Sequence, residues 1–376
     1  MLRNIFVIAI LFGGSSQAFS QISEAKVEIV PKDTAANAPT PVEEVKPVTT
    51  INGSVDVYYR FNFSNPQNPN YNNYTSFTNS QNRFELGMAT VKLEHKTARF
   101  DVVADLGFGK RAQEFAYNDQ GILAAIKQLY VSYSPKPWLK LTAGSWATHI
   151  GYEVLDPQLN RNYSMSYMFT NGPFSHTGVR ADFTSGKSGF MIGIANPTDF
   201  RYVPSGFINK KAFIAQYSYA AGDALHLFLN YVGGQNVDTS KSSQFDLVAT
   251  SKLSSTFSLG FNATVNNSKK WDGTKNESAK NWWGSALYLN LDPKPWFGLT
   301  LRGEYFSDKN GLKVYSGLPY GGSVFATTLS ANFKVDGFIF IPEFRLDNAQ
   351  HEIFTDHNGV GQKSTGSFIL AAIYAF

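Results

Sequence analysis

From Ile51 to Phe376 the chain alternates apolar and polar residues with period two, and this pattern limits the possible folds more than any motif. In 51–63, Val55, Val57, Tyr59, Phe61 and Phe63 fall on one side, and Ser54, Asp56, Tyr58, Arg60 and Asn62 on the other. Phe100, Val102, Ala104, Leu106 and Phe108 repeat the pattern. Successive side chains of a strand point to opposite faces, so such stretches read as β-strands. The connections between them alternate strictly in length. Short ones fall near 95–98, 134–138, 185–189, 221–223, 254–256, 292–296 and 335–337. Long polar ones fall near 64–81, 110–121, 149–173, 197–206, 233–243, 267–281, 307–322 and 348–364. Seven short and eight long connections join sixteen strands and leave both chain ends on the short-turn side.

A soluble two-sheet sandwich also shows alternating strands. Three features favour a barrel in a membrane instead: strands of about 10–13 residues, the asymmetry of the connections, and aromatics gathered at strand ends. Tyr133, Trp138, Tyr219, Phe257, Trp296, Phe297, Phe338 and Tyr374 flank the short turns, while Phe63, Phe84, Phe108, Trp283 and Tyr305 lie toward the long loops. Two aromatic belts match the two interfaces of a bilayer. The expected fold is all-β: a transmembrane antiparallel up-and-down β-barrel of about 16 strands, with short periplasmic turns and long extracellular loops.

Composition agrees. Only 16% of the 376 residues are charged, against about a quarter in soluble domains, and the mean hydropathy of −0.21 excludes a bundle of membrane helices. The absence of Cys removes disulfides, thiolate sites and a lipoprotein anchor. A net charge of +4 spread over so large a surface does not argue for nucleic acid.

Residues 1–20 read as a signal peptide, with Arg3 as the positive end, Ile5–Phe12 as the apolar core and small residues around Ala18 for cleavage. A membrane anchor is disfavoured, because the apolar run falls short of the roughly 20 residues of a spanning helix. Residues 21–50, rich in Pro, Ala, Val, Glu and Lys, read as a disordered periplasmic linker, or as a short partner-binding peptide. The barrel is assigned to 51–376. At its end Phe368, Leu370, Ala372, Tyr374 and Phe376 share one face. This resembles the last strand of outer-membrane barrels, which implies recognition by the barrel-assembly machinery through Phe376. The sequences Ser134–Trp138 and Asp292–Trp296 both contain Pro-Lys-Pro-Trp, which convergent turn chemistry explains; an ancient duplication is the alternative.

With the apolar face given to lipid, the other face carries opposite charges two residues apart: Arg83 and Glu85, Arg180 and Asp182, Arg302 and Glu304, Glu343 and Arg345. Asp101 and Asp105 share a strand, and Lys140 follows the first Pro-Lys-Pro-Trp turn. Arg or Lys facing lipid at the midplane costs about 2–4 kcal/mol, so these charges should point into the lumen. There they either line water and sort ions or pair across strands to hold the wall.

The longest break in the alternation is the third long loop, within 149–178. Its Tyr, Phe, Met and Pro residues suit packing against an inner wall. Either the loop enters and narrows the barrel, or it lies over the outer mouth as a lid. If it enters, Glu153, Asp156, Asn160 and Arg161 are expected to face basic wall residues such as Lys140 and Arg180. The constriction set is then Lys140, His149, Glu153, Asp156, Arg161, His176, Arg180, Asp182, Arg302, Glu304, Glu343 and Arg345.

Gly151-Tyr152-Glu153, Asp156-Pro157, Asn162-Tyr163-Ser164 with Ser166, and Gly172-Pro173-Phe174 followed by His176-Thr177-Gly178 resemble the β-barrel porin-2, OmpL-like family. The resemblance covers most of 51–376 and implies an outer-membrane pore; it supplies no catalytic set. His149, His176 and Glu153 lack zinc-protease spacing, and no nucleophile elbow is present. His351, Glu352, Asp356 and His357 read as a solvated loop rather than a cation site. The expectation is a cofactor-free, non-enzymatic porin for small hydrophilic solutes, in contact with outer-membrane lipids and compatible with a homo-oligomer. A loop-plugged barrel binding a surface or assembly partner is the alternative, and an outer-membrane hydrolase the third.

Overall fold

A computed structural model describes residues 46–207, 209–271, 273–275 and 277–376. The signal peptide expected at 1–20 and the linker expected at 21–50, as far as residue 45, lie outside the described residues. The first strand, β1 (Val48–Asn62), begins before the change of pattern at Ile51.

The next wall strands are β2 (Arg83–Lys96), β3 (Phe100–Phe108), β4 (Ile126–Lys136), β5 (Leu139–Ala147), β6 (Ser175–Ser185) and β7 (Ser188–Ala195). They are followed by β8 (Ala212–Ala220), β9 (His226–Gln235), β10 (Lys241–Lys252), β11 (Phe257–Lys269) and β12 (Lys280–Lys294). Then come β13 (Phe297–Asp308), β14 (Gly322–Val335), β15 (Phe338–Ala349), a two-strand ribbon β16 (Phe354–Thr355) and β17 (Gly361–Gln362), and finally β18 (Ser364–Ala375). Every wall strand pairs with its sequence neighbour, β15 pairs with β18, and β18 returns to β1, so sixteen antiparallel strands close a barrel. The seam runs from Ser54 opposite Ala375 to Asn62 opposite Ser367. Phe376 finishes it by exchanging both backbone hydrogen bonds with Gly53 at 3.0 Å. Closure leaves no unpaired sheet edge.

The outward face is apolar and exposed, as at Leu86, Phe190, Ile192 and Ile194. An uncovered apolar band around a whole barrel is the surface that lipid requires. Trp138, Trp296, Phe338 and Tyr374 are exposed near the short turns, and Phe63, Phe84, Phe108 and Trp283 near the long loops, so both aromatic belts are present. The turn after β14 has Asp336 at φ 47° and Gly337 at φ 83°, the left-handed pair that joins twisted strands in two residues.

The inward face departs from the uniformly polar lumen the alternation suggests. Ile339 and Ile341 on β15 and Ile369, Ala371 and Ile373 on β18 point inward and are buried with Tyr58 and Tyr163. Trp146, Ile150, Met191, Ala212, Ile214 and Val232 form a second inner cluster. These side chains have partners because long loops enter the barrel, and strand periodicity carries no information about that. The first long loop (63–82), the second (109–125), with helix α1 (Lys110–Phe115), and the third (148–174), with helix α2 (Tyr167–Asn171), share an apolar core. It contains Phe77, Met88, Ala112, Phe115, Leu155, Met165, Phe169 and Phe174.

Candidate functional site

The third loop leaves β5 and crosses the lumen to the far wall. His149 Nε2 lies 3.0 Å from the Tyr231 carbonyl on β9. Gly151, at φ 94°, turns its N–H to Asp246 Oδ1 on β10 at 3.0 Å. Asn230 and Asn262 also donate to Asp246, at 2.8 and 2.7 Å, and hold it in place. Tyr152 stacks on Tyr288 of β12 with ring centroids 4.0 Å apart. Glu153 forms an ion pair with Arg302 of β13 and accepts the Ser166 N–H at 2.7 Å. Asp156 takes Lys127 of β4 at 2.6 Å, and that ammonium also reaches Asp105 of β3 at 3.0 Å. Arg161 forms an ion pair with Asp292 and donates to Thr300 at 2.9 Å.

The second half of the loop is gripped along its backbone. Glu343 on β15 accepts the N–H groups of Tyr163 and Ser164 at 2.7 and 3.0 Å. Glu304 on β13 accepts those of Tyr167 and Met168 at 2.9 Å each. Arg302 donates to the Ser164 carbonyl at 2.8 Å and Arg345 to the Met165 carbonyl at 2.6 Å. The first N–H groups of a helix have no partner within it, so Glu304 and Ser166, which accepts Phe169 N–H at 3.0 Å, complete the start of α2. Arg302, Glu304 and Glu343 have 0% of their surface exposed. Charges removed from water to this degree need compensation. Arg302 is paired with Glu153, while Glu304 and Glu343 are held by the loop N–H groups and, for Glu343, by the Ser330 hydroxyl at 2.7 Å. Gly284 on β12 admits the helix: a Cβ there would lie 2.7 Å from Met168 Cγ.

Of the residues singled out from sequence, Glu153, Arg302, Glu304, Glu343 and Arg345 thus meet in one clamp. The expectation that the loop's charged residues face Lys140 and Arg180 is corrected. Lys140 pairs with Asp101 at 3.3 Å, and Arg180 pairs with Asp182 at 3.3 Å and lies over Trp146. Because the loop crosses the barrel, Glu153 and Arg161 find Arg302 and Asp292, and Asp156 finds the buried Lys127 on β4 beside the loop's root, while the pairs of Lys140 and Arg180 stay partly open to water. His149 and His176 do approach, with ring centroids 5.2 Å apart, and His176 Nε2 meets Thr148 Oγ1 at 3.0 Å. Burial lowers the His149 pKa to about 4. No group of three or more His, Asp or Glu among the described residues is spaced to hold a metal ion. In the last loop, His351 lies against Tyr320 at 4.5 Å and His357 Nδ1 faces Gln67 Nε2 at 3.1 Å.

Sequence reasoning missed Lys127, Asp246, Asp292 and Arg111. Asp246 left a signal, an acid on the inward side of β10; Lys127 left none, because it shares the period-two side of the outward Leu129 and Val131 and turns inward only through the irregularity in the β3–β4 pairing. Arg111, fully buried, lies over the Phe77 and Tyr163 rings at 5.0 and 4.8 Å, and α1 offers no periodicity from which to read that.

A closed sixteen-strand barrel with a lipid-compatible outer face and a loop-crossed lumen defines a transmembrane channel protein of the outer membrane. Residues 48–376 match the family described as "Putative beta-barrel porin-2, OmpL-like", and the chain belongs to it. No curated protein matches the chain in sequence. Among solved structures it is similar to the anion-selective porin from Comamonas acidovorans (TM-score 0.60, 10% identity, 88% of this chain and 100% of that one). It is also similar to in-vitro folded OmpT of Vibrio cholerae (TM-score 0.54, 10% identity, 89% and 100%) and to that protein's trimer form (TM-score 0.55, 10% identity, 88% and 99%). At such identities the likeness is one of fold.

Proposed function

We propose that this porin carries small hydrophilic solutes and ions across the outer membrane by passive diffusion, along a path narrowed by the third loop. The observation that supports this is the clamp: four wall charges on β13 and β15 hold the loop backbone across the lumen instead of leaving it over the mouth. Three inward-facing ion pairs whose side chains stay partly open to water, Lys92–Glu94, Lys140–Asp101 and Arg180–Asp182, lie on β2, β3, β5 and β6, away from the clamp on β13 and β15. Charges lining a narrow aqueous path set which ions pass, so His149, Asp156, Arg161 and His176 act through the loop's position, and Lys140, Arg180 and Asp182 act on the solute. The reaction is transport, with no bond made or broken and no cofactor.

Export through the signal at 1–20, delivery to the assembly machinery through the strand ending in Phe376, a lipid annulus and self-association complete the reading. A second reading has its own observation. The zero exposure of Arg302, Glu304 and Glu343 fits a loop that plugs the barrel and opens it only by moving. Planar-bilayer conductance of the pure, folded protein separates the two. The porin reading expects steps in the unmodified protein and larger steps after deletion of 154–172. Steps only after deletion identify a plug, and a deletion that leaves conductance unchanged rules out narrowing by this loop.

A further inference from the structure

The outer mouth holds a polar cavity of about 530 Å³ that the clamp does not use. It lies where the third loop returns to the wall at Asn171–Pro173, between the outer ends of β8–β12 and the fourth (196–211) and seventh (309–321) long loops. Its size is that of a site for a small organic molecule, but its lining is rich in amides, hydroxyls and charges.

The charges are unequally engaged. Of the two acids on the wall, Asp199 accepts the Phe174 and Ser175 N–H groups at 2.7 and 2.8 Å and the Tyr117 hydroxyl at 2.9 Å. Asp238 accepts the N–H and hydroxyl of Ser240 at 3.0 and 2.6 Å. Burial raises the Asp199 pKa to about 6, while the Phe174, Ser175 and Tyr117 donors favour its charged form. The two bases, Lys270 and Lys313, line the same cavity and are exposed to it. Neither ammonium makes a hydrogen bond or ion pair with any described residue. Asp308, the other acid near Lys313, gives its oxygens to the N–H groups of Leu312, Lys313 and Tyr315 at 2.7, 2.9 and 3.0 Å. The cavity therefore presents two uncommitted cations to committed anions.

The amides supply the complement for hydroxyl groups. Asn171 Nδ2 donates to the Tyr167 carbonyl and Asn266 Nδ2 to Gln244 Oε1, which leaves both side-chain carbonyls to accept from a guest. We propose that this vestibule binds small hydroxylated carboxylates. Lys313 and Lys270 take the carboxylate, and the Asn171 and Asn266 carbonyls accept hydroxyls. The inference rests on the solute-channel reading, because a molecule held here stands at the channel's entrance.

The test is calorimetric titration of the detergent-folded barrel with gluconate, glucose and acetate, together with the K313Q/K270Q variant. Gluconate is expected to bind saturably and at least tenfold more tightly than glucose or acetate. The double substitution, which alters only cavity-exposed side chains, should weaken gluconate at least tenfold and leave glucose unchanged. Equal binding of gluconate and glucose, or gluconate binding indifferent to K313Q/K270Q, overturns the proposal. Gluconate binding without ion current in bilayers supports the site while refuting the porin reading. Current without gluconate binding refutes the site and leaves the porin reading in place.

Discussion

Arg302 on the inner face of β13 and Glu153 on the third loop form an ion pair from which water is excluded on both sides, with 0% and 4% of each residue exposed. Their chain separation spans eight strands, so the contact joins opposite walls of the barrel through the loop. Removing one partner leaves an uncompensated buried charge, which costs about 3–5 kcal/mol, whereas replacing both with apolar residues of similar volume is often neutral. R302M is therefore expected to lower unfolding stability by about that amount, and R302M/E153L to recover most of it. Urea unfolding in detergent micelles measures both; a double variant no better than R302M would show that the pair's hydrogen bonds to Ser164 and Ser166 dominate.

Glu304 tests the grip on α2 separately. E304A strands the N–H groups of Tyr167 and Met168 in an apolar cluster with Trp282 and Phe306. Each buried orphan costs about 1–3 kcal/mol. The helix should detach before the barrel unfolds, because the wall strands keep their ladders. Limited proteolysis is expected to cut within the third loop of E304A and to spare the unmodified loop, with both barrels intact. Cleavage confined to other loops would place the loop's restraint elsewhere.

Acid should loosen the root of the same loop. His149 has a folded pKa lowered from 6.5 to about 4 by burial, next to His176 and Arg180. A lowered histidine pKa contributes stability that is fully present above pH 6.5 and is lost as pH falls toward 4. The loss is on the order of 2 kcal/mol, since the ring is only partly screened from water. Asp199 has the opposite sign: its pKa is raised from 3.8 to about 6, so its contribution is present at low pH and fades as pH rises through that window. H149Q removes only the first effect. The stability difference between H149Q and the unmodified protein should therefore shift in favour of H149Q between pH 7 and pH 4.5, measured by thermal unfolding at each pH. A constant difference would show that the ring is already solvated.

Much of this architecture was legible because strand physics is local. Period two separated Val55, Val57 and Phe61 from Asp56, Tyr58 and Arg60, and the connection lengths gave the strand number and the sidedness of the loops. The pairing of charges was not legible. Arg302 and Lys140 look alike in sequence, each an inward base on a wall strand, yet one is sealed against the loop and the other is hydrated. That difference depends on where a loop some thirty residues long comes to rest, which is set by contacts remote in sequence. One trace was available: Ile369, Ala371 and Ile373 make β18 apolar on both faces, which a water-filled lumen would not require.

The hydrated pairs give the last prediction. Lys140 with Asp101 and Arg180 with Asp182 keep side chains partly open to water, so their fields reach ions in the lumen over the Debye length of about 8–10 Å in moderate salt. Arg302 cannot act this way, because its charge is cancelled by Glu153 and enclosed by protein. K140E replaces a cation on the path with an anion and leaves the clamp untouched. In a tenfold salt gradient the reversal potential of K140E should therefore move toward cation preference, and R302M/E153L, which removes no net charge, should leave it near that of the unmodified channel. The K140E shift should shrink at high salt as screening shortens. If instead K140E is silent and the clamp variant moves the potential, ions pass along the β13–β15 side of the loop rather than along β2–β6.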